Sequence, residues 1–387
     1  MNILVAPDSF KGSLTAVRAA EIIADAIAQC DPAARCILLP QADGGDGTAD
    51  VLARATNAQL RSTRVVDPTG RTVEATWLAL PDGRAVIESA ACIGWRLLRE
   101  DERHPLHLRS TGLGQLVRAA AGAGYSDIVI GLGGSATNDA GLGFAEGLGF
   151  RMEFSRDPGG GVLQALRGVT AVHPPEEPGD ISITALVDVR NPLCGARGAT
   201  AVYGPQKGVR PNQVEALDHA VVHFASVVCR DVRHVDTGAP GMGAAGGLGF
   251  ACAAFCGAPL REGASFVRRM TGFSDALREA DLVITGEGRI DAQTKEGKTI
   301  AGVIDEARES GIPVVAFTGD AAGVPDALAD ALGLAAIFPV LPPGMPVSEG
   351  MENAEALLTG AVREAWPRIA RIRRSPHPGE AGISSAR

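Results

Sequence analysis

The sequence predicts an α/β protein: a doubly wound parallel sheet interrupted by a second, mixed α/β domain. Three observations carry this. Both ends of the chain repeat a strand–loop–helix rhythm. The stretch between them changes texture and opens with an antiparallel meander. The composition suits a core of small aliphatic side chains. Of 387 residues, 45% are hydrophobic and only 4% aromatic, and glycine occurs 49 times. Many glycine turns around an Ala/Val/Ile/Leu core fit a layered α/β protein better than a β-sandwich.

Residues 3–7 read as a short buried strand, followed by a helix with Ser13 or Thr15 as its N-cap. Residues 37–39 make a second strand, and the turn from Asp43 to Gly47 leads into a helix over 47–56. The rhythm returns with strands at 282–285, 314–317 and 336–340, each followed by a helical stretch, the last running over 353–369. Five such units predict a flavodoxin-like sheet. Its first part is residues 1–58, its second 276–370, and the insertion is 59–275. The insertion begins with strands at 60–66, 72–80 and 85–89, joined by turns at Asp67–Gly70 and Pro81–Gly83. A helix at 113–122, strands at 128–132 and 183–187, and a helix at 213–229 follow. The segment 371–387 is basic, then rich in Pro, Gly and Ser, and reads as a disordered tail.

The formal net charge of −9 argues against nucleic acid as a partner, since phosphate backbones need a basic face. A small anionic substrate needs only a few local cations. The seven cysteines form no CxxC pair and fit reduced thiols. With no basic leader before the first apolar run, the expectation is a cytoplasmic protein. The uncharged stretch 237–260 is broken by Pro240 and rich in glycine, which suits a buried segment better than a membrane span.

Polar and glycine motifs cluster after the strands. Asp8, Ser9 and Lys11 follow the first strand, and Asp43 and Asp46 follow the second. Gly286, Glu287, Arg289 and Asp291 follow the strand at 282–285, and Thr318 and Asp320 the next. Open α/β sheets bind ligands at the carboxyl ends of their strands, so these loops read as one site. The insertion adds its own candidates. Gly133, Gly134, Ser135, Thr137 and Asn138 stand between a strand and a helix-like run, where glycines let backbone N–H groups approach a phosphate. Asn138 or Asp139 serves equally as an ordinary N-cap there. Asp188 ends a strand beside Asn191 and Pro192, and Gln206 and Lys207 lie in a Tyr-Gly-Pro-Gln-Lys-Gly loop. The segment 292–299 nearly matches a phosphate-binding P-loop, but charged residues separate it from its strand; Lys298 remains a candidate phosphate contact.

Seven motifs in order, APDSFKGSL, DGGDGT, GLGGSATNDAG, VDVRNPLCG, YGPQKG, GMGAAGGLGF and TGEGRID, resemble the class I glycerate kinases (the glycerate 2-kinase family). The resemblance extends to about residue 370. It implies a flavodoxin-like domain interrupted by a second α/β domain, with the active site between them. It also implies transfer of the ATP γ-phosphate to D-glycerate, usually giving 2-phosphoglycerate. On that reading Lys11, Lys207 and Arg289 supply cations, and Asp43, Asp46, Glu287 and Asp291 hold Mg²⁺. Asp188 would position or deprotonate the attacking hydroxyl; a turn cap or a metal ligand are its other readings. Two other functions fit less of the motif set: a different hydroxy-acid kinase, because the 133–136 loop is similar to the phosphate loop of GHMP-type kinases, and a non-catalytic sugar-acid-binding protein.

Overall fold

A computed structural model describes residues 1–372 apart from 158, 160, 177–178, 291–298 and 321–325. Asp291, Lys298, nearly all of the 292–299 motif and most of the C-terminal tail therefore lie outside the described residues. The described strands, in chain order, are β1 (Asn2–Val5), β2 (Arg35–Leu38), β3 (Gln59–Val66), β4 (Thr72–Ala79), β5 (Arg84–Glu88), β6 (Asp127–Gly131), β7 (Arg151–Phe154), β8 (Val169–His173), β9 (Ser182–Val187), β10 (Leu260–Glu262), β11 (Leu282–Arg289), β12 (Val314–Asp320) and β13 (Ala336–Pro339). The chain divides into two compact units. The first takes Met1–Asp43, Asp50–Ala55 and the residues from Ala264 onward; the second takes Gly44–Ala49 and Thr56–Gly263.

The first unit holds an all-parallel sheet in the order β13-β12-β11-β1-β2. Counted along this sheet's own strands, that is 2-1-3-4-5, the flavodoxin order, which reverses between β1 and β11. The strands are apolar on both faces because helices cover both. Ile3, Val5, Ile284 and Phe317 pack with the Ala16–Cys30 and Ala354–Ile369 helices. Leu4, Val283, Val314 and Ala316 point the other way, to Ile300, Val303 and Ile304 of the Thr299–Glu309 helix. This is the period-two alternation of a strand expressed in three layers. Thr15, rather than Ser13, caps the first helix, its side chain accepting from Arg18 N at 3.1 Å.

One boundary differs from the sequence expectation in a way that matters. β11 continues through Gly286, Glu287 and Arg289, and β12 through Thr318, in register with each other (Glu287↔Thr318). Glycine and charge suggested loops here, but parallel pairing satisfies the backbone on both strands and outweighs weak local propensity. The motif side chains are therefore mounted on strand ends.

The second unit contains a mixed sheet in the order β10-β9-β6-β5-β4-β3. Its β3-β4-β5 meander is antiparallel and the rest is parallel, and β7 and β8 form a separate ribbon. Helices Thr111–Gly122, Pro211–Asp231 and Ala244–Cys256 contribute to one core with this sheet. The last of these begins with Ala245, Gly246 and Gly247 at φ of 52°, 73° and 96°. Only glycine holds the second position, because a Cβ on Gly246 would lie 2.2 Å from Thr137 O. The turn thereby seats against the 137–141 loop, with Ala140 N donating to Gly246 O at 3.0 Å. No helix among the described residues is long and apolar enough to cross a membrane.

Candidate active site

In the second unit β6 and β9 are parallel neighbours, so their carboxyl ends emerge side by side. The Gly131–Asp139 loop leaves one and Asp188 the other. The glycine loop is pinned from several directions. Ser89 Oγ donates to Gly133 O at 2.9 Å, and Trp95 N donates to Gly134 O at 3.1 Å. The glycines let the 44–47 turn pack directly on it, since a Cβ on Gly133 would meet Gly45 Cα at 2.6 Å. Asp139 is 1% exposed and fastens the far end of the loop. It accepts from Ser110 N (2.9 Å), Ser110 Oγ, Gly141 N (3.0 Å) and Gly143 N (3.0 Å). Asp139 is therefore a structural acceptor inside the loop rather than an N-cap of the usual exposed kind.

Lys207 is the centre of this cluster. It is only 6% exposed, and its Nζ donates to Ser135 Oγ at 2.9 Å and to Thr137 O at 2.8 Å. Burial pulls its ammonium down to about 8, against the pull of the Asp139 charge in the other direction. Asn138 Nδ2 donates to Thr200 Oγ1 at 3.0 Å. Thr137 Oγ1 and Asn138 Oδ1 are buried and meet no partner among the described residues. Buried polar atoms are nearly always satisfied, so these two atoms beside a buried cation make this cluster the candidate place for a polar ligand.

A single segment ties this cluster to Asp188. The Ala199–Tyr203 helix carries Thr200 to Asn138, and the following short 3-10 turn, Pro205–Lys207, delivers Lys207. Tyr203 OH donates to Asn191 Oδ1 at 2.6 Å, and Asn191 Nδ2 donates to Arg197 O at 2.8 Å. Burial, and then the charge of Asp188, raise the Tyr203 hydroxyl above its ordinary value. The structure thus brings Ser135, Thr137, Asn138, Asp188, Asn191 and Lys207 onto one scaffold. Asp188 and Gln206 are exposed.

Three contributors were missed in the sequence. Tyr203 stood inside a motif already singled out. Trp95 and Arg103 carried no local signal. The Arg103 guanidinium lies 4.8 Å over the Trp95 ring, and its Nε is buried with no partner among the described residues. Asp46 also lies in this unit, where it pairs with Arg96 at 3.1 Å.

In the first unit the motif residues gather where the strand order reverses. Asp8 N donates to Gly286 O at 2.8 Å, locking the loop after β1 to the end of β11. Asp8 Oδ1 accepts from Ser9 N at 2.6 Å, and its carboxyl also bonds the Thr299 side chain. Burial, and then the nearby Asp43 charge, push the Asp8 carboxyl up to about 6. Glu287 and Arg289 stand at the end of β11, and Lys11 is exposed on the neighbouring loop. Of the four carboxylates expected to hold a metal, Asp291 lies outside the described residues, and among those residues no group of three or more His, Cys, Asp or Glu is arranged to hold a metal ion.

A doubly wound sheet with cationic and acidic residues at its reversal point, interrupted by a unit with a pinned glycine loop, defines a two-unit α/β class of protein. The chain belongs to the glycerate kinase family, whose sequence profile matches residues 3–370. It is 39% identical over 369 residues to a glycerate kinase of Bacillus subtilis, covering 94% of this chain and 96% of that protein. A glycerate 2-kinase of Escherichia coli is 38% identical over 325 residues, covering 82% and 85%. A crystal structure from Salmonella typhimurium, provisionally assigned as glycerate kinase 2, superposes with a TM-score of 0.81 at 37% identity, covering 96% of this chain and 98% of that one.

Proposed function

We propose that the protein transfers the γ-phosphate of ATP to a hydroxyl of D-glycerate, giving 2-phosphoglycerate. The observation that carries this reading is the buried Lys207 ammonium held between Ser135 and Thr137, beside unpartnered polar atoms, in a chain of the glycerate kinase family. A substrate with one carboxylate and two hydroxyls supplies the charge and the hydrogen bonds that such a cluster lacks.

On this reading Gly133, Gly134, Ser135, Thr137, Asn138, Asn191 and Gln206 orient glycerate and the phosphoryl group in transfer. Arg103 adds a cation from the Trp95 side. Asp188 takes the proton of the attacking hydroxyl as its oxygen bonds to the γ-phosphorus. The bond from that phosphorus to the β,γ-bridging oxygen breaks, and ADP leaves with the electron pair. Lys207 offsets charge on the transferring group. Asp8, Ser9, Lys11, Gly286 and Arg289, with Lys298, meet the nucleotide phosphates. The Asp8–Asp43 pair fits a divalent cation, because burial and then the neighbouring Asp43 charge raise the Asp8 carboxyl to about 6, and Mg²⁺ is commonly held by one or two carboxylates. Asp43 with Glu287 would hold Mg²⁺, which would neutralise polyphosphate charge.

The test is ADP release with ATP, Mg²⁺ and a panel of hydroxy acids. D-glycerate is expected to give the highest kcat/KM. Turnover only with another alcohol would overturn the substrate and keep the kinase. No turnover with any acceptor would overturn both.

A further inference from the structure

We propose that an apolar pocket in the first unit, at the carboxyl ends of β11 to β13, binds the purine ring of the nucleotide; this rests on the kinase reading above. The pocket has a volume of about 330 Å³, within the range of small-molecule sites. One wall is Phe10 and Leu14, from the loop after β1. The facing wall is Leu341, just past β13, with Val347 and Met351 of the Val347–Glu352 helix. Between these two sets of residues Gly12 sits at φ 86°, and a Cβ there would lie 2.4 Å from Met351 Cε.

Two features select the occupant. Val347 and Met351 are 61% and 40% exposed, although large apolar side chains are otherwise mostly buried in this protein. Leaving them in water forgoes the burial of apolar surface that a ligand would supply. The second feature is charge. Lys11 and Arg289 line the same pocket, and both are exposed. An apolar slot ending in two cations complements a flat ring that carries a polyphosphate. It does not suit a three-carbon hydroxy acid, which has almost no apolar surface to bury. The loop that carries Phe10 into the wall also carries Asp8 and Lys11, so ring and phosphates would be read by one stretch of chain.

Photolabelling with 8-azido-ATP tests the location, and it is expected to mark the peptide containing Val347 and Met351, with protection by ATP. Tryptophan at either position adds bulk to the pocket lining outside the buried core. Met351→Trp and Val347→Trp are each expected to raise KM for ATP about 10-fold or more, with KM for glycerate within about two-fold of the parent. An unchanged ATP KM in an active variant, or a rise in glycerate KM alone, would overturn the assignment. Calorimetry with the non-hydrolysable β,γ-imido analogue of ATP separates this idea from the catalytic one. If the parent protein shows no turnover with any acceptor but binds the analogue, and Met351→Trp weakens that binding 10-fold, the pocket stands and the kinase reading falls. No binding, or binding that Met351→Trp leaves intact, overturns the pocket.

Discussion

Asp188→Asn is expected to lower turnover by about 10²–10⁴-fold while leaving KM for ATP nearly unchanged. An alcohol is a poor nucleophile at neutral pH, so its proton must go to a base as the bond to phosphorus forms. Asp188 directly follows β9, a strand paired on both sides, so the strand anchors its backbone. Its charge is felt by Tyr203, whose hydroxyl is bonded to Asn191. Asparagine keeps the shape and removes the basicity. Steady-state kinetics on the folded variant decide the matter. Near-parental turnover would remove Asp188 from proton transfer. A selective loss of Mg²⁺-dependent ATP affinity would move it to the metal.

Lys207→Met is expected to lower kcat/KM for glycerate by about 10²–10³-fold, the scale seen when a pre-placed electrostatic donor is lost. Methionine approximates the length of the stem and discards the charge and both hydrogen bonds. The parent protein should carry a pH signature as well. Its ammonium titrates near 8, so kcat/KM should fall as pH rises through 8. Stability should move the other way. A lysine whose folded value lies below its ordinary 10.5 costs the most stability below pH 8, where it is charged in both states. Between about 8 and 10.5 the unfolded chain binds the extra proton, so this contribution makes the fold more stable with rising pH. Urea titrations of parent and Lys207→Met at pH 7 and pH 10 should show that rise in the parent and its loss in the variant. A pH-independent difference would mean that Lys207 acts only through its hydrogen bonds.

The architecture was legible because parallel strands leave a strong mark. Runs such as Ile3-Leu4-Val5 and Leu282-Val283-Ile284, covered on both faces, have no helical period and are too short to be helices. Loops after those runs were legible for the same reason: in such sheets chemistry collects at strand ends. What the sequence hid was depth and partnership. Nothing local distinguishes Lys207, buried against Ser135 and Thr137, from a solvated loop lysine, because its partners lie about seventy positions away. Arg103 stacking on Trp95 is a tertiary contact with no motif. The ion pair of Asp46 with Arg96 is likewise a tertiary contact that no motif announces. The extension of β11 through Arg289 was hidden because glycine reads as a loop until a neighbouring strand pairs with it.

The central claim is phosphoryl transfer from ATP to glycerate, and phosphorus NMR of the reaction mixture tests it most directly. With ATP, Mg²⁺ and D-glycerate, the account predicts that the γ-phosphate signal is replaced, one for one with ADP formation, by the signal of 2-phosphoglycerate. Inorganic phosphate in place of a phosphoglycerate, or no change in the ATP signals, would contradict it.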